Sequence, residues 1–594
     1  MFEKCKLPKR RLCQYNRRIL SALLCAVLLL ALTACGKTPE QTQAQKAFEQ
    51  YCSEAFTENL KADAMSAHYL VSDPSRYGVT FEEEDYTLGE FSWEEQETIA
   101  EGLEELKKFD RSLLTESQQL TYDTLLSYLE IKSAYLGTSD LINLFAPDAG
   151  VVFTLQTSFE EYTFQDETDV RRYLSLLKSV PAYMDSCLSM TKKQSEKGYF
   201  MSDRTADEAI EACMDHFEKD GALLVKTFEK KLDKLELSEP VRKELIDAHS
   251  DAIRNHYLPS FKKAADTLGT LKGSGKNEDG LCGFGEPGKR YYRALIMDYT
   301  SSTMTPEDVI EMLDRKISEL MENASKIPGA DFVHALEYQP DFTDVKAMVD
   351  YLIEHTGRDF PAPVTTSYEL DDMSVPDEDT SFVAYYLKCR LDDVNHNSVK
   401  INRDMLDTNT LQLYTTLAHE TFAGHLYQFT SFVKREDVPN IRKAIDFLGT
   451  AEGWAQYAGA CSIDYLDVSA NTKKALLLNE QLPYLLAARV DAGVNYEGWS
   501  YQDTCEYLSG YFDTENMEDE NPVEVFYRDA IGKPAQIIPY AIGQIKMEEL
   551  RAYAEKELGD RFDILAYHQW VNDIGITSFP VYEAELAKWI EKQK

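Results

Sequence analysis

The chain has 594 residues with 62 basic and 102 acidic side chains, a net charge of −40 and a pI near 4.7. A field of that sign repels nucleic acid and anionic lipid headgroups, which sets nucleic-acid binding aside. No Walker-type loop and no Gly-x-Ser-x-Gly elbow is present, so nucleotide-dependent and serine-hydrolase chemistry lack their motifs.

Residues 1–34 read as a targeting segment. Lys4, Lys6, Lys9, Arg10, Arg11, Arg17 and Arg18 precede an apolar run from Ile19 to Leu32, and the run ends in Leu32-Thr33-Ala34-Cys35-Gly36. A basic region, a short apolar core and small residues before the cut make a secretory signal. Leu-Thr-Ala-Cys looks like a lipobox, whose cysteine is diacylated in bacterial lipoproteins, so Cys35 is the expected lipidation site. About 14 residues are short for spanning ~30 Å of hydrocarbon. The expected location is extracytoplasmic, anchored to the bacterial membrane through lipid on Cys35. Removing residues 1–34 takes away seven basic groups and one acidic one, which carries the charge from −40 to −46. Such a charge keeps an exported protein soluble, and an acidic cleft would favour cationic or neutral peptides.

Seven cysteines follow Cys35, at positions 52, 187, 213, 282, 389, 461 and 505. They are odd in number and widely spread, without a Cys-x-x-Cys pair, so neither a disulfide framework nor a thiolate metal site is written here.

A polar tether is expected over 35–43, then an N-terminal helical lobe over 44–272. Apolar periodicity predicts helices from Ala44 to Leu60, Trp93 to Lys108, Glu116 to Tyr135, Thr168 to Lys193, Thr205 to Leu237 and Glu239 to Leu268. The stretch from Leu141 to Val152 breaks the pattern and reads as a loop over a cleft. Residues 273–280, rich in glycine and polar side chains, read as a linker to a C-terminal region over 281–594. Thr305-Pro306-Glu307-Asp308 is a helix start. Ala362 to Tyr368, Ser381 to Leu387 and Ser398 to Asn402 read as short strands.

The chemistry centres on His419-Glu420-Thr421-Phe422-Ala423-Gly424-His425. Two imidazoles with an adjacent carboxylate suit a hydrolytic zinc site. The usual spacing is four residues. Six residues on an ideal helix leave the rings roughly 120° apart, so the helix must deform, and Gly424 is the residue that permits a bulge or loosened turn. The bland alternative is a helix ending at Gly424 with two solvated histidines. A third ligand is required, and Glu452 in Thr450-Ala451-Glu452-Gly453-Trp454-Ala455-Gln456-Tyr457 is the candidate. Gln456 and Gly459 share its helix face, whereas Cys461 points the other way. The other histidines, at positions 68, 216, 249, 256, 334, 355 and 396, lack partner glutamates at ligand spacing.

These two stretches together resemble the domain-of-unknown-function 885 family of bacterial proteins, placed among the gluzincin-type metallopeptidases of the peptidase MA clan. Its pattern is His-Glu-x-x-Pro-Gly-His followed by Glu-Gly-Trp-Ala-x-Tyr. Tyr291-Tyr292-Arg293-Ala294-Leu295, Arg489-Val490-Asp491-Ala492-Gly493, Pro539-Tyr540-Ala541-Ile542-Gly543-Gln544 and Tyr567-His568 extend the similarity over roughly residues 280 to 594. Ala423 replaces the proline of the motif, and Asn495 stands where a substrate-contacting histidine is expected.

The resemblance implies a mainly α fold with a small β-sheet, two helical lobes around a substrate cleft and a zincin-like catalytic region. In zincin-like folds an edge strand beside the metal helix pairs with the substrate, which makes the strand ending at Asn402 a candidate for peptide binding. One Zn2+ held by His419, His425 and Glu452 would lower the pKa of its water, Glu420 would act as general base, and Tyr540 or His568 would stabilise the oxyanion. Asp446 and Asp491 are candidates to orient the imidazoles. The expected activity is hydrolysis of peptides or short oligopeptides. A catalytically silent peptide- or partner-binding relative and a lipid-anchored solute-binding protein are the rivals; the second requires alternating strands and helices.

Overall fold

The computed structural model describes residues 37–91, 94–147, 149–275, 280–373, 383–511 and 521–594. The signal segment, Cys35, linker residues 276–279 and the first two residues of the strand expected at 381–387 lie outside the described residues. The chain is mostly helical with one small three-stranded mixed sheet. That arrangement excludes the alternating strands and helices of solute-binding proteins. Among the described residues no helix is long and apolar enough to cross a membrane, and no disulfide joins any of the seven cysteines.

The first helix, α1 (Pro39–Ala62), begins inside the stretch expected to be a tether. Thr38 Oγ1 accepts from Gln41 N at 3.1 Å and Gln41 Oε1 accepts from Thr38 N at 3.0 Å. This reciprocal capping box satisfies the orphan amides of the first turn and lets the helix start at Pro39. Phe48, Cys52, Phe56 and Leu60 make its buried stripe. They share a core with Phe429, Phe432, Val433 and Phe447 from the other half of the chain. The helix α2 (Glu116–Ser133) joins the same core through Tyr122, Leu125 and Ile131. One hydrophobic core therefore spans the expected division at 273–280.

A second core belongs to the N-terminal part alone. Tyr173, Leu177 and Met184 of α3 (Glu167–Lys197) meet Phe228, Tyr257 and the inner face of α4 (Leu258–Leu271). The helix expected over 239–268 widens into a π-turn at Ile253–Tyr257, just before Pro259, whose ring cannot fit against a regular helical turn. Within the stretch 141–152, Ile142 and Leu144 line a cavity with Phe81, Leu88 and Tyr183. Leu144 and Phe145 are buried in this core and Leu141 in the next one, so apolar burial overrides its loop-like composition.

After α5 (Glu286–Tyr299) the chain forms β1 (Tyr368–Asp372), β2 (Ala384–Leu387) and β3 (Asn397–Ile401). Their order is β1-β3-β2, with β1 parallel and β2 antiparallel to β3. The strand expected to be an edge is thus the central one, and β2 is an edge. Asn397, Val399 and Ile401 of β3 are buried and alternate with half-buried Ser398 and Lys400, the period of a strand covered on one face.

The remaining helices that position the site are α6 (Thr410–Glu420), α7 (His425–Val433), α8 (Leu448–Ser462), α9 (Ala470–Ala492), α10 (Ile538–Leu558), α11 (Ile564–Ile574) and α12 (Phe579–Gln593). Helices α8 and α10 meet backbone to backbone. A Cβ on Gly453 would lie 2.5 Å from Gly543 O, and one on Gly543 would lie 2.3 Å from Gly449 O. Only glycine allows this approach, which fixes Glu452 relative to Tyr540.

Candidate metal centre

Asn409 caps α6 by accepting from Gln412 N at 3.1 Å, and Leu413, Leu417 and Ala418 bury its inner face. The helix stops at Glu420. The chain turns through Thr421–Gly424, with a cis peptide between Phe422 and Ala423, and α7 starts at His425. The six-residue spacing is met by two helices joined at a sharp break rather than by one loosened helix. Gly424 has an ordinary negative φ of −80°; its role is space. A Cβ there would sit 1.6 Å from His419 O, because the break folds back onto the last turn of α6. Trp454 of α8 holds the break by donating from Nε1 to Ala423 O at 2.8 Å.

The two imidazole rings lie 4.7 Å apart at 89°. Glu452 Oε2 is 3.3 Å from His419 Nε2 and 3.4 Å from His425 Nε2. In a tetrahedral zinc site with bonds of about 2.0–2.2 Å, neighbouring ligand atoms stand roughly 3.3–3.6 Å apart. The carboxylate oxygen is buried without a hydrogen-bond donor of good geometry. Two imidazole nitrogens converging on an orphaned carboxylate oxygen fit a shared cation. The ligand atoms of His419, His425 and Glu420 also lie within 4.8 Å of one another. Glu452 is the better third ligand, because Glu420 Oε2 already accepts from the backbone N–H of Tyr386 at 2.9 Å.

The two carboxylates differ electrostatically. Burial pushes Glu420 up to about 7 and the nearby Glu452 adds to this, while His419 and the Tyr386 amide act the other way. Burial would also raise Glu452, but His425 and His419 outweigh it and hold that group well below the usual carboxylate range. Tyr540 joins the cluster from α10. Its ring stacks on His419 at 6.3 Å and on Tyr484 at 5.9 Å, and the charge of Glu452, with burial, keeps its phenol protonated.

Other expected residues stand elsewhere. His568 is a core side chain: Nδ1 donates to Asp359 O at 2.6 Å, Nε2 accepts from the Tyr457 hydroxyl at 2.8 Å, and the ring lies flat on Phe360 at 4.0 Å. With both nitrogens committed it is no oxyanion donor. Asp446 is exposed and paired with Lys388 at 2.7 Å. Asp491 is buried, accepting from Tyr292 Oη at 2.6 Å and Ala535 N at 2.8 Å, away from the imidazoles. Asn495 is fully buried; it accepts from Leu281 N at 3.0 Å and donates to Ala530 O at 2.8 Å, so it fastens the chain rather than meeting substrate. Asn402 is buried at the end of the central strand, its N–H donating to Val383 O at 2.9 Å. The strand that faces Glu420 is β2.

Sequence reasoning missed Glu480 and Tyr484, one turn apart on α9. Glu480 stands in the polar triplet Asn479-Glu480-Gln481 and Tyr484 follows Pro483, so no local motif marks either residue. Thr415 Oγ1 donates to Glu480 Oε2 at 3.2 Å, one turn before His419.

Among solved structures, the fold is similar to that of a "putative lipoprotein" from Colwellia psychrerythraea, with a TM-score of 0.77 at 18% identity, covering 93% of this chain and 99% of that one. A "putative lipoprotein of unknown function" from Shewanella oneidensis matches with a TM-score of 0.58 at 14% identity, over 91% and 99% of the two chains. A "putative oligoendopeptidase F" from Bacillus anthracis reaches a TM-score of 0.30 at 11% identity over 86% and 98%, too low to carry an argument. No curated protein matches the chain. The family of bacterial proteins of unknown function DUF885 matches residues 76–585. That match spans most of the sequence and every residue of the candidate metal cluster, and the chain belongs to this family.

Proposed function

We propose that the protein is a zinc metallopeptidase of the gluzincin type, acting on peptides or short oligopeptides. The observation that carries this reading is the convergence of His419, His425 and Glu452 at tetrahedral spacing, with Glu420 beside them. Zinc bound there would supply the Lewis acidity that activates water and polarises a peptide carbonyl. Glu420 takes a proton at Oε1, 3.8 Å from His419 Nε2, while the Tyr386 amide holds Oε2 and aims the carboxylate. The same carboxyl then delivers its proton to the leaving amine. The Tyr540 hydroxyl donates a hydrogen bond to the developing oxyanion. The outer edge of β2, whose Tyr386 N–H holds Glu420, offers its remaining backbone groups to an extended substrate.

The lipobox at Leu32–Cys35 supports attachment to the outer face of the bacterial membrane through lipid on Cys35. Two structurally similar proteins carry the description of lipoprotein. A catalytically silent relative gains nothing from the structure, because Asn495, the departure that suggested it, is buried away from the cluster.

The test is metal content followed by turnover, on soluble protein lacking residues 1–35. About one zinc per chain is expected, lost in His419→Ala and Glu452→Ala. Glu420→Gln should keep its zinc and lose peptide hydrolysis by a factor of about 10² to 10⁴. Failure to bind zinc at neutral pH would refute the centre, and unchanged turnover in Glu420→Gln would refute the mechanism.

A further inference from the structure

Beside the metal cluster stands a carboxylate that the mechanism does not use. Thr415 lies one turn before His419 on α6, about 6 Å along the axis, and hydrogen-bonds Glu480 of α9. One turn further along α9, Tyr484 stacks on Tyr540, which stacks on His419. Burial raises the Tyr484 phenol, and the charges of Glu480, Glu452 and Glu420 all raise it further, against a hydrogen bond with Gln456. Through Thr415 on α6 and through Tyr484 and Tyr540, Glu480 is connected to His419 of the cluster.

Among the buried and half-buried acids of the described residues, Asp491 also lacks a cation but accepts from both Tyr292 Oη and Ala535 N, away from the metal cluster, whereas Glu480 accepts from a single hydroxyl beside it. Glu452 is met by two imidazoles, Asp298 by Lys132 at 2.7 Å and Glu548 by Lys316 at 2.7 Å. Glu480 has a neutral hydroxyl, and among the described residues no cation forms an ion pair with it. Burial raises its carboxyl to about 7. A carboxylate withdrawn from water is costly until a cation faces it.

We propose that Glu480 is an anionic subsite that binds an ammonium or guanidinium group of the substrate within about two residues of the scissile bond. An extended peptide rises 3.2–3.4 Å per residue, so the single helical turn between Thr415 and His419 corresponds to about two residues. The group is either the peptide's own amino terminus or a Lys or Arg side chain. This rests on the metallopeptidase reading above and names the substrates it would select.

The experiment uses three peptides: trialanine, N-acetylated trialanine, and N-acetylated trialanine with one alanine replaced by lysine. kcat/KM is measured with zinc-loaded wild type, Glu480→Gln and Thr415→Val, with zinc content and Tm recorded for each. Wild type should prefer a cationic peptide over the acetylated neutral one by about tenfold or more, the usual worth of a charged hydrogen bond. That ratio should fall towards one in Glu480→Gln and to an intermediate value in Thr415→Val. Preference for trialanine alone assigns the amino terminus; preference for the lysine peptide assigns a side-chain cation. A ratio unchanged by Glu480→Gln overturns the subsite. Calorimetric titration of the same peptides into Glu420→Gln, with and without Glu480→Gln, separates the two readings. If wild type hydrolyses nothing, the peptidase reading fails, yet tighter binding of cationic peptides that vanishes with Glu480→Gln supports the subsite. Equal binding overturns it.

Discussion

Histidine is buried in two ways in this molecule. In the N-terminal core, His249 lies flat on Phe228 at 3.9 Å and His68 flat on Tyr162 at 3.9 Å, and burial drives both down to about 3. Around the break between α6 and α7, His419 and His425 stand perpendicular to each other and share one carboxylate oxygen. The first arrangement uses the imidazole as a flat packing surface held neutral by desolvation. The second keeps a nitrogen lone pair of each ring aimed at one point, as ligation requires. His68 and His249 are buried and His419 and His425 half-buried, but what marks the second pair as candidate ligands is the carboxylate oxygen that both free nitrogens face.

The largest way to break this comparison is to disturb the break itself. In Gly424→Ala the new Cβ meets backbone at His419 O and Ala418 O, which cannot swing aside as a side chain could. Overpacking of this kind costs about 1–3 kcal/mol or more, and here it displaces His425 directly. Both a lowered Tm and at least tenfold weaker zinc binding are expected by thermal melting and metal titration. Gly329→Ala is the control: its Cβ would meet nothing within 4 Å, and stability should change by less than about 1 kcal/mol. Equal behaviour of the two variants would show that the break tolerates a side chain and that the ligand geometry does not depend on it.

Why the break was only partly legible follows from the same residue. The sequence shows that two ligands six apart cannot share a regular helix, and that a glycine stands between them. It does not show that the chain doubles back onto His419 O, because that is a contact made by the turn as a whole. Elements governed by local rules were readable. Glu116 and Glu239 begin helices where periodicity and capping placed them, and Thr305 caps through Asp308 N. Strand order was not readable, since β3 pairs with both neighbours across long loops. The site followed the same division. His419, Glu420, His425, Glu452 and Tyr540 come together as their motifs suggested. His568 does not, because nothing local reveals that Phe360 lies beneath its ring.

A smaller effect sharpens the other side of the comparison. His249 is held at about 3 in the folded protein against an ordinary value of 6.5, with burial the main cause and Lys231 adding to it. Its folded value is depressed, so below pH 6.5 the unfolded chain takes up a proton that the folded one refuses. Stability is therefore flat above about 6.5 and falls as the pH drops towards 3. His249→Leu keeps an apolar side chain on Phe228 and removes that uptake. Between pH 7 and 4 the variant should lose less stability than wild type, by on the order of a few kcal/mol in denaturant titrations. Zinc content should be the same in both, because this ring faces no ligand. Parallel pH dependence of the two proteins would contradict a neutral, buried His249.

The smallest expected effect is at Asp446, six residues before Glu452 in sequence and outside the cluster in space. Its side chain is 67% exposed and its partner Lys388 is 47% exposed, at 2.7 Å. Exposed pairs of this kind contribute about 0–1 kcal/mol, and salt screens them. Asp446→Ala should therefore leave zinc stoichiometry and peptide turnover within error of wild type and shift Tm by no more than a degree or two. Loss of metal in this variant would mean that Lys388, released from Asp446, disturbs β2 at the neighbouring Leu387 and Tyr386, whose amide holds Glu420. Retention of metal places the boundary of the centre between Asp446 and Glu452, at the point where α8 begins and its glycines dock on α10.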